Sequence, residues 1–488
     1  MPVNPPLPHD RGADHMQFDR IIKNGTIVTA SDIYRGDIGI VDGRIAAIAA
    51  NLDGSDDIVD ATGLYVMPGG IDSHVHISQP SGDGIVMADD FETGTRSAAM
   101  GGNTSILSFC MQEKGDSLRE SLKVYHAKAD GECHIDVAFH LIVTDPTPAV
   151  LGQELPALVE DGYTSIKVFM TYDGLRLRDD EILDTLESAR RSGALVMVHC
   201  ENEDAIRFLI GRHEANGDLA AKFHATTRPI AAEREATHRA LSLAEIVDTP
   251  IVIVHVSNRE AMEEIERARM RGSKVVGETC PQYLMLTADD LDQSEMEGAK
   301  FVCSPPPREK ASQDACWDGI ERGVFDLFSS DHCPFRFDDP AGKLNEKGRK
   351  SFRWIPNGIP GVATRLPILF SEGVQKGRID LCRFVAITAT NHAKLYGMYP
   401  QKGTIAIGSD ADIVLWDPEK KVTITNDLLA QGADYTPFEG LEISGWPIHT
   451  MVRGKTVVKD GRLIGEKGYG AYVARERSSL TASQKTVG

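Results

Sequence analysis

Residues 65–76 read YVMPGGIDSHVH, a short apolar run, broken by a Gly-Gly pair, that ends in Asp72-Ser73-His74-Val75-His76. Alternate residues of a β-strand project to one face, so His74 and His76 are set side by side, as two imidazoles on one metal ion require. Seven further runs of the same texture follow: TSILSFC (104–110), IDVAFHLIV (135–143), TSIKVFM (164–170), ALVMVHC (194–200), PIVIVHVS (250–257), KVVGETC (274–280) and FDLFSSD (325–331). Continuous Val/Ile/Leu character of this kind belongs to parallel strands buried on both faces. The segments between them, such as DDEILDTLESARRSGA (179–194) and NREAMEEIERARMRGS (258–273), start acidic, end basic and carry periodic apolar positions, as crossover helices do. Eight alternating units predict an α/β protein with a (β/α)8 barrel; an open doubly wound sheet is the alternative.

Outside this region the texture changes. RIIKNGTIVTA (20–30), DIGIVDGRIAAIAA (37–50) and DIVDATGLYVMPGG (57–70) are β-rich runs broken by Asn-Gly and Asp-Gly, a hairpin vocabulary. The same vocabulary returns in KGTIAIGSDADIVLWDP (402–418) and HTMVRGKTVVKDGRLIG (449–465). The two ends are expected to pair into one small β-sandwich domain. Residues 17–66 and 401–465 would form it, flanking a barrel over 67–400, with 466–488 as a C-terminal tail. Residues 1–16 are Pro-rich and polar and are expected to be a disordered lead-in, ahead of an alternative start at Met16. The stretch 334–356 reads as loop.

Fifty-two Lys and Arg against 72 Asp and Glu leave a net charge of -20 over 488 residues. A nucleic-acid partner held by a broad basic face is excluded on that balance. No apolar run approaches the roughly 18 residues of a membrane span, and the N-terminus carries no apolar core of a signal peptide. Eight cysteines show no CxxC pair; Cys110, Cys200, Cys280 and Cys303 lie in or beside apolar runs. Reduced, buried thiols and a cytoplasmic location are expected.

The polar residues at the run ends carry the chemistry. The fourth run holds Lys167, the fifth ends in His199, the sixth contains His255 and the eighth ends in Asp331. Active sites of (β/α)8 barrels assemble at the C-terminal ends of the strands, so four histidines, a lysine and an aspartate would converge there. Singly, each has a plainer reading: a hydrogen-bonded core histidine, a lysine reaching the barrel mouth, a helix N-cap aspartate. Together, at five strand ends, they point to a metal site.

The motifs MPGGIDSHVH, SIKVFMTY, VMVHCEN, IVHVSN, GETCPQYL, SSDHCPF, IPNG and GTIAIGSDADIVLWDP resemble those of the cyclic amidohydrolases, and among them the D-hydantoinase/dihydropyrimidinase family, from about Phe18 to Tyr469. The resemblance implies two Zn2+ ions per chain, bridged by hydroxide and by Lys167 carboxylated on its amine (N6-carboxylysine). It implies His74, His76 and Asp331 on one ion and His199 and His255 on the other. It makes Asp331 the proton shuttle and Tyr172 the group that polarises the substrate carbonyl, and has Ser304 and Asn357 hold the ring through main-chain groups. A free lysine, pKa about 10.4, would repel two cations, whereas its carbamate is an anionic ligand with two oxygens. The implied reaction is hydrolysis of the cyclic amide of hydantoins or 5,6-dihydropyrimidines to N-carbamoyl amino acids by a homotetramer, with a small cyclic ureide as the sole partner.

Dihydroorotase-like and allantoinase-like relatives place an arginine shortly after the HxH pair; here Ile77-Ser78-Gln79-Pro80-Ser81 follows. The collapsin-response relatives of the family lack several ligands, and this chain has all six. Hydantoinases often carry a bulky apolar residue nine positions after the bridging lysine. Arg176 stands there instead, either turned to solvent or contacting a polar substituent. A cyclic imidase or allantoinase-like activity, or a non-catalytic assembly role, are the other readings.

Overall fold

The computed structural model describes residues 17–481 except 83 and 295. Eight parallel strands run in strict sequence order: β1 (Gly70–Val75), β2 (Asn103–Met111), β3 (Asp136–Ile142), β4 (Ser165–Phe169), β5 (Leu195–His199), β6 (Ile251–Ile253), β7 (Val275–Thr279) and β8 (Leu327–Phe328). A doubly wound sheet reverses its strand order at a switch point. Here each strand neighbours the next one in the chain, which is barrel order. The intervening helices behave as their charge pattern requires. Asp179–Ser192 opens on three acidic residues, buries Ile182, Leu186 and Ala189, and stops at Gly193 in the left-handed conformation with φ 82°. The helix Arg259–Met270 is capped by Asn258, whose side chain accepts from the Ala261 N–H.

The first and last strands meet through a single bridge, Val75 to His332, and are held mainly by a buried side-chain seam. Asp72 Oδ1 accepts from the main-chain N–H of His74 (3.2 Å) and of Ser330 (3.1 Å). Arg365, fully buried, lies 3.5 Å from the other Asp72 oxygen and donates to Phe328 O and Asn103 Oδ1. The pair fixes the strand that carries His74 and His76 relative to the one that leads to Asp331.

Strands from both chain ends form one nine-stranded sheet, with Ile27, Ile38, Val66, Ile413, Leu415 and Met451 in a core of its own. The opening stretch YVMPGGIDSHVH divides at Gly69: Tyr65–Pro68 pairs antiparallel with 413–416, and Gly70–Val75 enters the barrel. A Cβ on Gly69 would sit 2.1 Å from Thr104 Oγ1, so only glycine lets the chain cross there. Of the tail from 466 onward, residues 466–481 lie against the N-terminal ends of this chain's own barrel strands. Val473 N–H donates to Val137 O, Arg475 donates to Ser165 Oγ and Phe139 O, and Thr481 donates to Gly193 O. Residues 1–16, expected to be a disordered lead-in, and 482–488 lie outside the described residues. Six of the eight cysteines are buried and all are free thiols. No helix among the described residues is long and apolar enough to cross a membrane.

Candidate active site

At the C-terminal mouth of the barrel is a cavity of about 590 Å³ whose wall includes His74, His76, Lys167, His199, His255 and Asp331. It also includes Tyr172, Ser304 and Asn357, so every residue singled out for the site reaches the same space. His74 and His76 present Nε2 to Asp331 Oδ1 at 3.2 and 3.5 Å. The His199 and His255 rings lie 4.4 Å apart between centroids, and His74 is 5.4 Å from His255. His255 and Asp331 do not lie in the regular strands where their runs placed them; each sits beyond the last ladder residue, with φ of 42° and 50°. Tyr172 also has a positive φ, 75°. Such backbone costs on the order of 1–3 kcal/mol per residue and persists where surrounding contacts over-determine it. Glu203 accepts from the Tyr172 N–H (3.0 Å) and Glu278 from the His255 N–H (3.2 Å).

Burial sets the protonation of the site. It lowers His74, His199 and His255 and brings His76 down to about 3, so all four imidazoles are neutral lone-pair donors. Lys167 is fully buried between the Phe109 and Phe169 rings, and burial lowers it to about 8. Asp331 is raised by burial and by the neighbouring Glu278 and Asp72 carboxylates, against Lys167, which lowers it. A carboxylate kept at this depth needs a cation beside it.

The remaining ring nitrogens are held by groups that the sequence reading passed over. His74 Nδ1–H donates to Glu278 at 2.6 Å, His76 Nδ1–H to Gln79 at 2.7 Å, and His199 Nε2–H to Glu201 at 2.8 Å. Each bond fixes a tautomer and leaves the opposite nitrogen bare, as the outer partners of metal-binding histidines do. Arg228 pairs with Glu201 at 2.8 Å and lies 5.4 Å from the Tyr172 ring centroid. Glu278 had one signal, a lone acid at the end of the apolar run KVVGETC; Gln79 and Arg228 had none.

His74 Nε2, His255 Nδ1 and Lys167 Nζ are buried without a hydrogen-bond partner in the protein. Orphaned donor atoms of this kind, with His74, His76 and Asp331 offering atoms within 4.8 Å of one another, suit a metal centre. The Tyr172 hydroxyl lies close to Ser304 and Asn357. Arg176 is drawn away from it: both guanidinium NH2 groups pair with Asp204 at 2.9 Å, and Leu175 supplies the cavity wall at that point.

A parallel barrel with histidines, a buried lysine and an aspartate at its C-terminal mouth defines a hydrolase of the metal-dependent barrel class. The amidohydrolase family model matches residues 65–457. The D-hydantoinase of Ralstonia pickettii is 47% identical over 461 residues, 94% of this chain and 99% of that protein. The D-hydantoinase of Geobacillus stearothermophilus is 47% identical over 472 residues, 96% and 99%. Among solved structures, the dihydropyrimidinase from Brevibacillus agri NCHU1002 superposes with a TM-score of 0.92 at 46% identity, covering 94% of this chain and 99% of that one. The L-hydantoinase from Arthrobacter aurescens does so at 0.86 and 32%, covering 94% and 100%. The chain belongs to the amidohydrolase family, in its D-hydantoinase/dihydropyrimidinase branch, and is a cyclic amide hydrolase.

Proposed function

We propose that this enzyme opens the ring amide of hydantoins and 5,6-dihydropyrimidines to N-carbamoyl amino acids, using two zinc ions. The observation that carries the reading is the set of orphaned donors, His74 Nε2, His255 Nδ1 and Lys167 Nζ, in one cavity with Asp331. His74, His76 and Asp331 would hold one ion, His199 and His255 the other. Bound zinc supplies Lewis acidity and water acidic enough to attack near neutral pH.

Lys167 has no partner of its own, and burial to about 8 leaves a neutral fraction of its amine at pH 7. That amine can add to CO2: the N–C bond forms, one proton leaves, and an anionic carbamate results. Such a carbamate would offer two oxygens, enough for Lys167 to serve both ions. Asp331 takes a proton from the attacking water and returns it to the ring nitrogen as the C–N bond breaks. The Tyr172 hydroxyl donates to the carbonyl oxygen as negative charge develops there. Main-chain groups at Ser304 and Asn357 pair with the far edge of the ureide. The domain division of 17–66 and 401–465 around a 67–400 barrel, the homotetramer and the cytoplasmic location belong to the same reading; the free, buried cysteines support the last.

The test is kcat/KM across hydantoin, dihydrouracil, succinimide, glutarimide and matched lactams with one zinc-loaded preparation. Ureides should lead, since a lactam leaves buried pocket groups unpaired at about 1–3 kcal/mol each. Lactam turnover within tenfold of dihydrouracil would refute recognition of the ring edge. Imides outpacing every ureide would make this a cyclic imidase. Less than one zinc per chain would favour the non-catalytic role.

A further inference from the structure

Lys343 lies in the segment between Cys333 and Gly358 that roofs the cavity, and it is fully buried. Its Nζ donates to Val302 O at 2.8 Å and to Pro356 O at 2.7 Å. Among the described residues no carboxylate acts on it, and burial pushes its ammonium down to about 7. A buried amine without a counter-ion is expensive, and an apolar side chain of the same length would fill the space more cheaply. The two carbonyls it holds belong to the peptides Val302–Cys303 and Pro356–Asn357. These lead directly into Ser304 and Asn357, the two positions assigned to the substrate ring.

We propose that Lys343 is the positioning and specificity-determining residue of the ring-binding edge. It braces the Val302–Ser304 and Pro356–Gly358 segments at a fixed spacing and polarises the Pro356–Asn357 peptide, whose N–H is that of Asn357. The proposal rests on the function proposed above and deepens it.

Three features support it. In a trans peptide the C=O and N–H point in opposite directions, so a donor fixed on Pro356 O turns the Asn357 N–H away from Lys343. A hydrogen bond to the carbonyl strengthens the donor at the other end of the same peptide, most of all when the amine is protonated. Among the described residues one further hydrogen bond ties the two segments directly, Gly358 N–H to Val302 O at 3.0 Å. His224 Nε2–H donates to Cys303 O at 2.9 Å and lies 3.3 Å from Ser304 Oγ, so a second buried side chain holds the edge.

The experiment is Lys343→Met, which keeps the apolar stem and removes the charge and both donors. It is assayed with hydantoin, dihydrouracil and 2-piperidone on protein of measured zinc content. The expected result is wild-type zinc content with KM for hydantoin raised about 10–100-fold, as the loss of one or two ring contacts implies. The fall in kcat should be smaller, and the preference for dihydrouracil over the lactam should narrow at least tenfold. Lys343→Gln, which retains one amide donor, should fall between the two, and it carries the test if the methionine variant does not fold.

A folded, zinc-loaded variant with KM and the ureide-to-lactam ratio both within twofold of the unmodified enzyme would overturn the proposal. An equal loss of kcat on ureide and lactam with KM unchanged would do the same, because a general structural defect behaves that way. If the unmodified enzyme cleaves no ureide, the proposed function fails. Lys343 is then judged by the same KM shift on whichever ring of the panel is cleaved.

Discussion

Replacing Glu278 with alanine removes the acceptor at the end of β7 that serves three donors. The His74 Nδ1–H stands 2.6 Å from Oε1, the His255 N–H 3.2 Å from the same oxygen, and the Ser329 hydroxyl 2.7 Å from Oε2. All of this is beyond the reach of water, since Glu278, His74 and Ser329 are fully buried. A buried donor left unpaired costs about 1–3 kcal/mol. The serine hydroxyl can rotate to another acceptor, but the imidazole N–H and the main-chain N–H cannot, so a stability loss of about 2–6 kcal/mol is expected. The consequence for the site is more specific. Without an acceptor at Nδ1, the neutral His74 ring is free to carry its proton on Nε2, the nitrogen that faces Asp331. Loss of an outer partner of this kind lowers metal affinity about 10–100-fold. Glu278→Gln has the same shape and still offers a carbonyl oxygen to His74, so most of both effects should be spared. The assay is zinc per chain after dialysis against a graded chelator series, beside the thermal midpoint of each variant. An alanine variant that retains zinc as tightly as the unmodified protein would refute the claim that Glu278 sets the His74 tautomer. A glutamine variant as defective as the alanine one would show that charge, and not the hydrogen bond, is what matters there.

Lys167→Ala should lose most bound zinc and activity, with partial rescue by short carboxylic acids that stand in for the carbamate; full zinc and near-normal turnover would remove Lys167 from the bridge. Asp331→Asn should fold and retain some metal yet lose about 10²–10⁴-fold in kcat, with a changed acidic limb of the pH–rate profile; an unaltered kcat and profile would move the proton to another group. The metal-free protein should lose stability as pH falls from about 6.5 toward 3, because burial brings His224 and His392 down to about 3 and the unfolded chain takes up their protons first. The two together imply about 2.7 kcal/mol per pH unit across that window. His224→Gln should lower the slope by about one proton, measured as the thermal midpoint between pH 7 and pH 5; a midpoint that rises on acidification would contradict the assignment.

The barrel was legible in the sequence because its evidence is local. Apolar runs of strand length, acidic helix starts and basic helix ends are written into consecutive residues, and strand-end position alone brought His74, His76, Lys167, His199, His255 and Asp331 to one mouth. The two-ended sheet was legible for the same reason, from turn residues between β-rich runs. The division of YVMPGGIDSHVH between two sheets was not, because it depends on Thr104 lying against Gly69. Nor was the seam, since Asp72 and Arg365 are 293 positions apart and nothing near either names the other. A lone glutamate such as Glu278, or a lysine such as Lys343 in a stretch that reads as loop, has the same local signature whether it ends in water or under a roof of protein. Arg176 turned to Asp204 for a reason equally remote from its neighbours in the chain. Residue type and periodicity determined which groups reach the site. Only the packing of distant segments decided which of their atoms are held and which left bare, because hydrogen-bond direction and burial are set by what lies opposite in space.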